Sequence, residues 1–252
     1  MQIFPFFSEK PWAGNYINTF YKLLDKPKYG EAFILSTLKD CESTVDSSPL
    51  SLKLGRELPF LIKIIDAKDP LSLQVHPNDY WAQVLENSVG KTECWLILDA
   101  EINSGVYYGF KEGHNFNTMI DIINEDGDAS KCLNFLQVKK GDFIEVPAGT
   151  IHAIGPGVRI LEFQQSSGIT YRIWDWNRPG RELHLEKAEK VIIQSYLNKE
   201  ILEFSKMGLG KLFFSHDDFF LTKVSDYKIL CSSNRNDYEF EIDTQSLQCI
   251  KK

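Results

Sequence analysis

The sequence predicts a mainly β protein in which an antiparallel sheet is closed or sandwiched, most simply as a jelly roll. Between residues 29 and 176, short runs of β-branched and aromatic residues are bounded by Gly, Pro, Asn and Asp, the pattern of strands and turns. Helical spacing of apolar residues is confined to a few short stretches. Many short strands separated by turns are typical of double-sheet and closed β architectures.

The strands and helices follow from these local patterns, and no internal repeat or Pro/Ser-rich linker separates them. The β-rich runs cover residues 31–38, 59–66, 71–76, 93–100, 105–110, 142–148, 158–166 and 169–176. The helical runs cover residues 18–24, 78–87, 115–125 and 182–197. Asn78 begins the second helical run, and its short polar side chain makes it the expected N-cap.

The composition is that of an ordinary globular protein, with 43% hydrophobic and 25% charged residues in a chain of 252. This length allows one large domain, or one domain with a smaller appendage. The formal net charge of −7 disfavours nucleic acid and anionic membranes as partners, because both repel an acidic protein. An anionic small molecule is still compatible with this charge, since a local pocket can carry the opposite sign.

Several features together predict a soluble, cytoplasmic protein. The five cysteines are odd in number and lack a CxxC pair, which argues against a disulfide framework or a thiolate zinc site. The start of the chain lacks the basic and long apolar regions of a signal peptide. The longest apolar run, at residues 58–67, contains Lys63 and is far too short to cross a bilayer. We therefore expect no membrane partner.

A stripe of polar side chains lies along the predicted strand at residues 71–76, which reads LSLQVH and is followed by proline. Side chains alternate across a strand, so Ser72, Gln74 and His76 share one face and the apolar side chains share the other. A face turned to solvent ordinarily carries Lys, Glu or Thr, rather than a hydroxyl, an amide and an imidazole together. On an inward-facing strand of a barrel, this stripe predicts a binding site.

Two further stretches supply side chains that suit a metal ion. In GKTECWLIL, alternation places Lys91 and Glu93 on one face, and in GDFIEVPAGTIHAIG a loop ends at His152. Two imidazoles, one carboxylate and one amide oxygen are a suitable donor set for zinc, here from Gln74, His76, Glu93 and His152. The Gln-x-His spacing alone is a weak signal, because a strand histidine is more often simply hydrogen-bonded within the fold.

Long motifs across roughly residues 4–195 resemble, in order and wording, the short-form type I mannose-6-phosphate isomerases, which are zinc-dependent cupin enzymes. The motifs are LPFLIKIIDAKDPLSLQVHPNDYW, GKTECWLILDAE, GDFIEVPAGTIHAIG and ILEFQQSSGITYRIWDWNR. The start of that family is also matched by FFSEKPWAGNYI and YGEAFILS, with Trp12-Ala13-Gly14 where it more often has Trp-Gly-Gly. The resemblance implies a cupin, an antiparallel jelly-roll β-barrel with a few short helices.

The resemblance also implies one zinc ion per chain, with the ligands Gln74, His76, Glu93 and His152. Gln74 stands apart from the other three, because some short members do not count this glutamine as a direct ligand. Arg172 corresponds to the arginine that the family treats as catalytic. Its fixed fork of donors suits either the phosphate group or an enediolate oxygen.

The reaction that the resemblance implies is the interconversion of mannose 6-phosphate and fructose 6-phosphate, in which a proton moves between C2 and C1 through a cis-enediol. The reaction needs a general base near C2 and a cation near O1 and O2. Glu162 and Lys91 correspond to polar residues of the family's pocket, and they are the first and second choices for the base. His152 is the third choice. Ser72 and Lys63 are the expected phosphate or sugar contacts.

The C-terminal part of the chain departs from the family pattern. Short members usually continue into a second, smaller cupin-like barrel, whereas only 45 residues follow Met207 here. We predict a catalytic cupin domain over residues 1–195 and a remnant of a second barrel over residues 196–252. The remnant is expected to form three strands, at residues 211–215, 219–225 and 227–233, before a polar end. An incomplete sheet leaves an open edge, which predicts a homodimer through this segment or modest stability.

Three alternatives to this isomerase are open at the level of sequence. The chain could be a catalytically impaired cupin that binds zinc and a sugar phosphate and acts as a sensor or regulator. It could be a cupin oxygenase that uses Fe(II), although Lys91 and Arg172 beside the metal ligands favour an anionic substrate. It could also isomerise a different phosphosugar, because the shape of the pocket sets that choice.

Overall fold

Two antiparallel sheets packed face to face form the larger part of the molecule, in a computed structural model that describes residues 1–193, 201–233 and 238–252. In chain order the described strands are β1 (Phe6–Glu9), β2 (Tyr29–Leu35), β3 (Thr44–Val45), β4 (Ser48–Pro49), β5 (Phe60–Ala67), β6 (Leu73–Val75), β7 (Glu93–Ala100), β8 (Gly105–Phe110), β9 (Leu133–Gln137), β10 (Asp142–Val146), β11 (His152–Ile154), β12 (Val158–Gln165), β13 (Tyr171–Trp174), β14 (Leu202–Glu203), β15 (Leu212–Ser215), β16 (Phe219–Ser225), β17 (Lys228–Ser233), β18 (Glu239–Asp243) and β19 (Gln248–Lys251). The described α-helices are α1 (Tyr16–Phe20), α2 (Leu50–Leu54), α3 (Asp79–Glu86), α4 (Phe116–Asn124) and α5 (Leu185–Val191).

The larger sheet has seven strands in the order β1-β2-β5-β12-β7-β10-β14, and the smaller has five in the order β13-β6-β11-β8-β9. Apolar side chains of both sheets meet in one core cluster, which includes Ile65, Trp95 and Ile160 from the larger sheet and Val106 and Ile154 from the smaller. This double-sheet arrangement is the jelly roll that the sequence predicts. The predicted mainly β cupin fold is therefore confirmed.

The seven-stranded sheet is buried on both faces, and alternation assigns a different task to each face. On β5, Phe60, Ile62 and Ile64 belong to a core cluster behind the sheet, while Lys63 and Ile65 face the interior between the two sheets. The neighbouring strands β12 and β7 alternate in the same way. Polar side chains on the inward face are consequently held inside the fold rather than in solvent.

Each of the predicted strands between residues 29 and 176 is present, with ends that differ by at most three residues. The predicted N-cap is also confirmed, because the Asn78 side chain accepts the backbone N–H of Trp81 at 3.0 Å. Four paired strands in the two sheets were missed, namely β1, β9, β11 and β14. β11 has only three residues and lies between turn-forming segments, so its pairing with β6 and β8, rather than a local pattern, makes it a strand.

The predicted helical run at residues 182–197 is shorter in the structure. The helix α5 begins only at Leu185, after the turn that contains Pro179 and Gly180, and its last residue is Val191. Residues 194–197 of the predicted run lie outside the described residues. Within the part of the chain that the structure describes, no helix combines the length and apolar character that crossing a membrane requires.

A second five-stranded antiparallel sheet, in the order β15-β16-β17-β18-β19, follows the jelly roll. The three predicted strands are present as β15, β16 and β17, but two more strands, β18 and β19, lie within the end that was predicted to be only polar. Their inward side chains Phe240, Ile242 and Cys249 are almost fully buried and alternate with polar residues. The alternation is short and is surrounded by charged residues, so the sequence alone does not predict strands here. The sheet packs on the outer face of the seven-stranded sheet, in the same core cluster as Phe60 and Ile62.

Candidate metal and active site

A cavity of about 310 Å³ opens between the two sheets of the jelly roll, and polar side chains line it. Seven of the nine residues singled out from the sequence line this cavity: Lys63, Ser72, Gln74, Lys91, Glu93, Glu162 and Arg172. The remaining two, His76 and His152, lie beside Glu93 and are buried. The fold therefore brings together residues from β5, β6, β7, β11, β12 and β13, which are far apart in the sequence.

Three of the predicted metal ligands form a tight, buried cluster. One ligand atom from each of His76, Glu93 and His152 lies within 4.8 Å of the others. His76 Nε2 is 3.3 Å from Glu93 Oε1, and His152 Nε2 is 3.9 Å from Glu93 Oε2. The carboxylate thus stands between two imidazole rings whose centroids are 5.0 Å apart.

Backbone carbonyl groups orient both imidazole rings. His76 Nδ1 lies 2.9 Å from the carbonyl oxygen of Ile169, and His152 Nδ1 lies 2.9 Å from that of Thr150. A carbonyl oxygen accepts a hydrogen bond from a protonated Nδ1, which leaves Nε2 of each ring as the atom with a free lone pair. Metal-binding histidines are commonly oriented through such an outer hydrogen bond.

The cluster fits a divalent metal ion. His152 Nε2 is buried and has no hydrogen-bond partner among the described residues, so its lone pair is available to a ligand. Burial lowers the pKa of His152, and burial together with Lys91 lowers the pKa of His76 to about 3, so both rings are neutral. Burial opposes the charge on Glu93, yet the neighbouring Lys91 outweighs it and holds the pKa of this carboxyl well below its usual range. Two neutral imidazoles and a carboxylate suit zinc.

Gln74 lies next to this cluster on β6, between β13 and β11 of the smaller sheet. It pairs in register with His152 on one side and with Arg172 on the other, and its side chain lines the cavity. The cluster of two histidines and a glutamate is already a recognisable ligand set without it. The role of Gln74 as a fourth ligand stays a prediction.

Lys91 lies at the boundary between the cluster and the cavity. Its Nζ is 3.0 Å from Glu93 Oε1 and 3.4 Å from His76 Nε2. The side chain is almost fully buried, with a relative exposure of 7%. A buried ammonium beside a carboxylate and facing a cavity can donate hydrogen bonds to an oxygen-rich ligand.

Glu162 is the second carboxyl group of the cavity, and three neighbours act on it. Trp95 Nε1 donates to Glu162 Oε2 at 2.9 Å and is also 3.2 Å from Glu93 Oε2. Lys63 Nζ lies 3.2 Å from Glu162 Oε1. Burial first and the charge of Glu93 second raise the pKa of Glu162 to about 7, although Lys63 opposes this rise.

Sequence reasoning missed Glu31, which holds Lys63 in place. Lys63 Nζ is 2.9 Å from Glu31 Oε1, and Lys10 Nζ is 2.9 Å from Glu31 Oε2. Burial opposes the charge of Glu31, but the two lysines prevail and lower its pKa to about 2. A signal was present, since YGEAFILS and LPFLIKII each contain one charged residue in an otherwise apolar strand. Opposite charges in two such strands are expected to pair.

Arginine side chains line the cavity from the segment around β13. Arg172 Nη1 donates to the carbonyl oxygen of Glu182 at 2.7 Å, while its Nε is buried without a partner among the described residues. Arg181, which sequence reasoning did not single out, also lines the cavity and lies 3.3 Å from Asp175 Oδ1. Burial and the neighbouring Arg181 lower the pKa of Arg172. Guanidinium groups of this kind bind phosphate and carboxylate oxygens.

Comparison with known proteins identifies related sequences. The family model for the catalytic domain of type I phosphomannose isomerase matches residues 8–92. Mannose-6-phosphate isomerase ManA of Bacillus subtilis is 36% identical over an alignment of 212 positions, which covers 75% of this chain and 66% of that protein. The probable mannose-6-phosphate isomerase GmuF of the same organism is 34% identical over an alignment of 220 positions, which covers 77% of this chain and 69% of that protein. The matches thus span about two thirds of these relatives.

The fold is also found in a solved structure. The crystal structure of the mannose 6-phosphate isomerase from Bacillus subtilis superposes with a TM-score of 0.73 and a sequence identity of 24%. The superposition covers 100% of this chain and 96% of that one. At this identity the likeness establishes a common fold, which extends through the C-terminal sheet.

Proposed function

Because the chain belongs to the type I phosphomannose isomerase family, we propose that it interconverts mannose 6-phosphate and fructose 6-phosphate with one bound zinc ion. The observation that carries this proposal is the buried cluster of His76, Glu93 and His152 beside a cavity lined by lysine and arginine. The cluster supplies a metal site, and the cationic side chains suit a phosphorylated sugar.

The zinc ion would be held by His76, Glu93 and His152, with Gln74 as the expected fourth ligand. When bound, zinc acts as a Lewis acid that stabilises negative charge on the oxygens of the substrate. Lys91 lies 3.0 Å from Glu93 and donates to the same developing charge from the side of the cavity.

Glu162 takes the proton from C2 and returns it to C1 through the cis-enediol, while a second proton is gained by O1 and lost from O2, so that aldose and ketose have the same composition. Its pKa of about 7 allows it to accept and release a proton near neutral pH. The hydrogen bond from Trp95 to Oε2 orients the carboxyl group, while Oε1 lies 3.2 Å from Lys63 Nζ and has no hydrogen-bond partner among the described residues. Lys91 is the second choice for this role.

The phosphate group binds at the cationic side of the cavity. Arg172 is the principal contact, because its buried Nε has no partner among the described residues and is therefore available to an anion. Arg181 adds a second guanidinium at the same wall, and the buried Ser72 contributes a hydroxyl to the sugar. We further propose that the protein is cytoplasmic. We also propose that it forms a homodimer through the C-terminal sheet, and light scattering of the pure protein would detect this dimer.

A coupled assay of fructose 6-phosphate formation from mannose 6-phosphate tests this function. We expect turnover by the zinc-loaded protein, loss of turnover on treatment with a chelator, and recovery on addition of zinc. Folded protein that carried stoichiometric zinc and showed no turnover would contradict the proposal and favour a sensor or regulator. The presence of a carboxyl group with a pKa near neutrality beside the metal cluster supports catalysis over binding alone.

A further inference from the structure

The side-chain amide of Gln165, the last residue of β12, joins three separate parts of the molecule. This side chain is buried, with 1% exposed. Its Nε2 donates to Asp79 Oδ1 at 3.0 Å and to Asp218 Oδ2 at 2.8 Å. Its Oε1 accepts the backbone N–H of Thr92 at 2.8 Å. Asp79 begins α3, Asp218 lies in the turn between β15 and β16 of the C-terminal sheet, and Thr92 immediately precedes β7.

Thr92 connects this amide to the metal cluster, because it is the residue directly before Glu93. The carbonyl oxygen of Thr92 accepts a hydrogen bond from the backbone N–H of Gln165 at 3.1 Å. The N–H of Thr92 donates in return to the Gln165 side chain, so the two residues form a pair of hydrogen bonds that extends the pairing of β7 with β12 by one residue. Thr92 Oγ1 accepts the backbone N–H of Ala148 at 3.3 Å, in the loop that leads to His152. The position of Thr92 therefore affects both Glu93, which follows it in the chain, and the loop that leads to His152.

Two carboxylates determine which way the Gln165 amide faces. An amide has two N–H donors at one end and a carbonyl acceptor at the other. Asp79 and Asp218 each accept one N–H, so a flipped amide would place its carbonyl oxygen against two carboxylates. In the observed orientation of the amide, Gln165 Oε1 therefore faces the N–H of Thr92. Asp79 belongs to the jelly roll, where it also accepts the N–H of Gly90 at 2.7 Å, whereas Asp218 reaches in from the C-terminal sheet.

We propose that Asp218 is a positioning residue of the metal centre, which acts through the Gln165 amide on Thr92 and hence on Glu93. The C-terminal sheet thereby holds a strand of the site in register, in addition to covering apolar surface. The inference rests on the proposed function, because it takes the buried histidine–glutamate cluster as the zinc site. It assigns a role at this site to a sheet that contributes no ligand to it.

The zinc dissociation constant, measured by competition with a chelator, tests the proposal. Asp218→Ala is expected to weaken zinc binding about 10-fold, the lower end of the range for outer partners of a metal site. Asp218→Asn is expected to weaken it less, because its amide oxygen still accepts from Gln165. The matched control is Asp226→Ala in the next turn of the same sheet, where the carboxylate pairs with Lys223 at 3.0 Å. This control is expected to bind zinc as the wild type does.

Hydrogen exchange at the Thr92 amide provides a readout that requires neither zinc nor substrate. Asp218→Ala is expected to accelerate this exchange about fivefold, as a weakened hydrogen bond would. In a Gln165→Ala background, Asp218→Ala is expected to add nothing, because the two residues act in one chain of contacts.

Unchanged zinc affinity and unchanged exchange in folded Asp218→Ala would overturn the proposal. An equal loss of zinc affinity in Asp226→Ala would also overturn the proposal, since it would indicate a general loss of stability. Additive effects of Asp218→Ala and Gln165→Ala would overturn it as well, because the two residues would then act independently. If the wild type bound zinc without isomerising sugar phosphates, the proposed function would fail and the affinity comparison would still decide the role of Asp218. If the wild type bound no zinc, the proposal would be overturned together with the zinc site, and the exchange measurement would show only whether Asp218 holds the Thr92 backbone.

Discussion

At the scale of single residues, Glu162 has the environment best suited to acid–base chemistry. Burial and the charge of Glu93 raise its pKa to about 7, against the attraction of Lys63. A group whose pKa lies near the working pH serves efficiently as a proton acceptor and donor. The hydrogen bond from Trp95, at 2.9 Å, also fixes the orientation of the carboxyl group. Trp95 thus contributes both to the core between the two sheets and to the site.

We predict that kcat/KM falls as the pH is lowered through about 7. The base must be deprotonated, and a pKa raised above the ordinary value of 4.5 means that Glu162 takes up its proton at a higher pH than an exposed glutamate does. A pH–rate profile of the zinc-loaded protein measures this. A profile that stayed flat between about pH 8 and about pH 5 would count against Glu162 as the base.

The same assignment is checked by substitution. Glu162→Gln is expected to lower kcat by about 10²- to 10⁴-fold, the usual contribution of a general base, with the zinc content unchanged. The remaining activity should no longer fall as the pH is lowered through about 7, because the group that titrates there has been removed. Glu101→Gln, at an exposed glutamate, is the matched control and should retain both rate and profile.

At the scale of elements, the adjacent strands β2 and β5 are joined by a buried ion pair that continues into the site. Glu31 on β2 binds Lys63 on β5 at 2.9 Å, and the same Lys63 Nζ lies 3.2 Å from Glu162 on β12. Lys10, just beyond β1, binds the other oxygen of Glu31 at 2.9 Å. Charges therefore alternate across neighbouring strands, and each buried charge has a partner of opposite sign.

We predict that Glu31→Gln lowers the free energy of unfolding by about 3 kcal/mol, because it leaves the buried Lys63 with one partner fewer. The double variant Glu31→Gln/Lys63→Met should lose less than the sum of the two single variants, since no buried charge of the pair is left behind. Denaturant unfolding measures both, with Glu9→Gln on the exposed side of β1 as control. Strictly additive losses would show that the pair contributes nothing as a pair.

At the scale of the whole molecule, the C-terminal sheet and the jelly roll share one hydrophobic core. Phe219 and Phe240 of that sheet pack against Phe60 of β5, with ring centroids 5.6 and 6.2 Å apart. Phe143 of β10 packs likewise against Phe213, at 5.2 Å. The sheet therefore covers apolar surface that would otherwise be exposed on the outside of the seven-stranded sheet.

We predict that a chain ended at residue 200 is insoluble or aggregates, because Phe60, Ile62 and Phe143 lose their cover. Soluble yield and light scattering of this truncated protein measure the effect, with the full chain as control. A monomeric, zinc-binding truncated protein would instead support residues 1–195 as a self-sufficient catalytic domain.

Much of the site could be inferred from local alternation, because the period of a strand is short and independent of its partners. The stripe of Ser72, Gln74 and His76, and the shared face of Lys91 and Glu93, needed no tertiary information. Ser72, Gln74, Lys91 and Glu93 line the cavity, and His76 lies beside Glu93. Two of the motifs that support the family resemblance, LPFLIKIIDAKDPLSLQVHPNDYW and GKTECWLILDAE, contain these residues.

Other features depended on which strands became neighbours. Glu31 joins the site because β2 pairs with β5, and Gln165 meets Asp218 because the C-terminal sheet packs beside β12. β18 and β19 are strands because Phe240, Ile242 and Cys249 find a core to fill. A local sequence pattern shows the periodicity of a segment. It does not show which residue will pair with a buried charge or which surface will cover an apolar face. Those partners are chosen by long-range pairing, where the free energy of burial outweighs local preference.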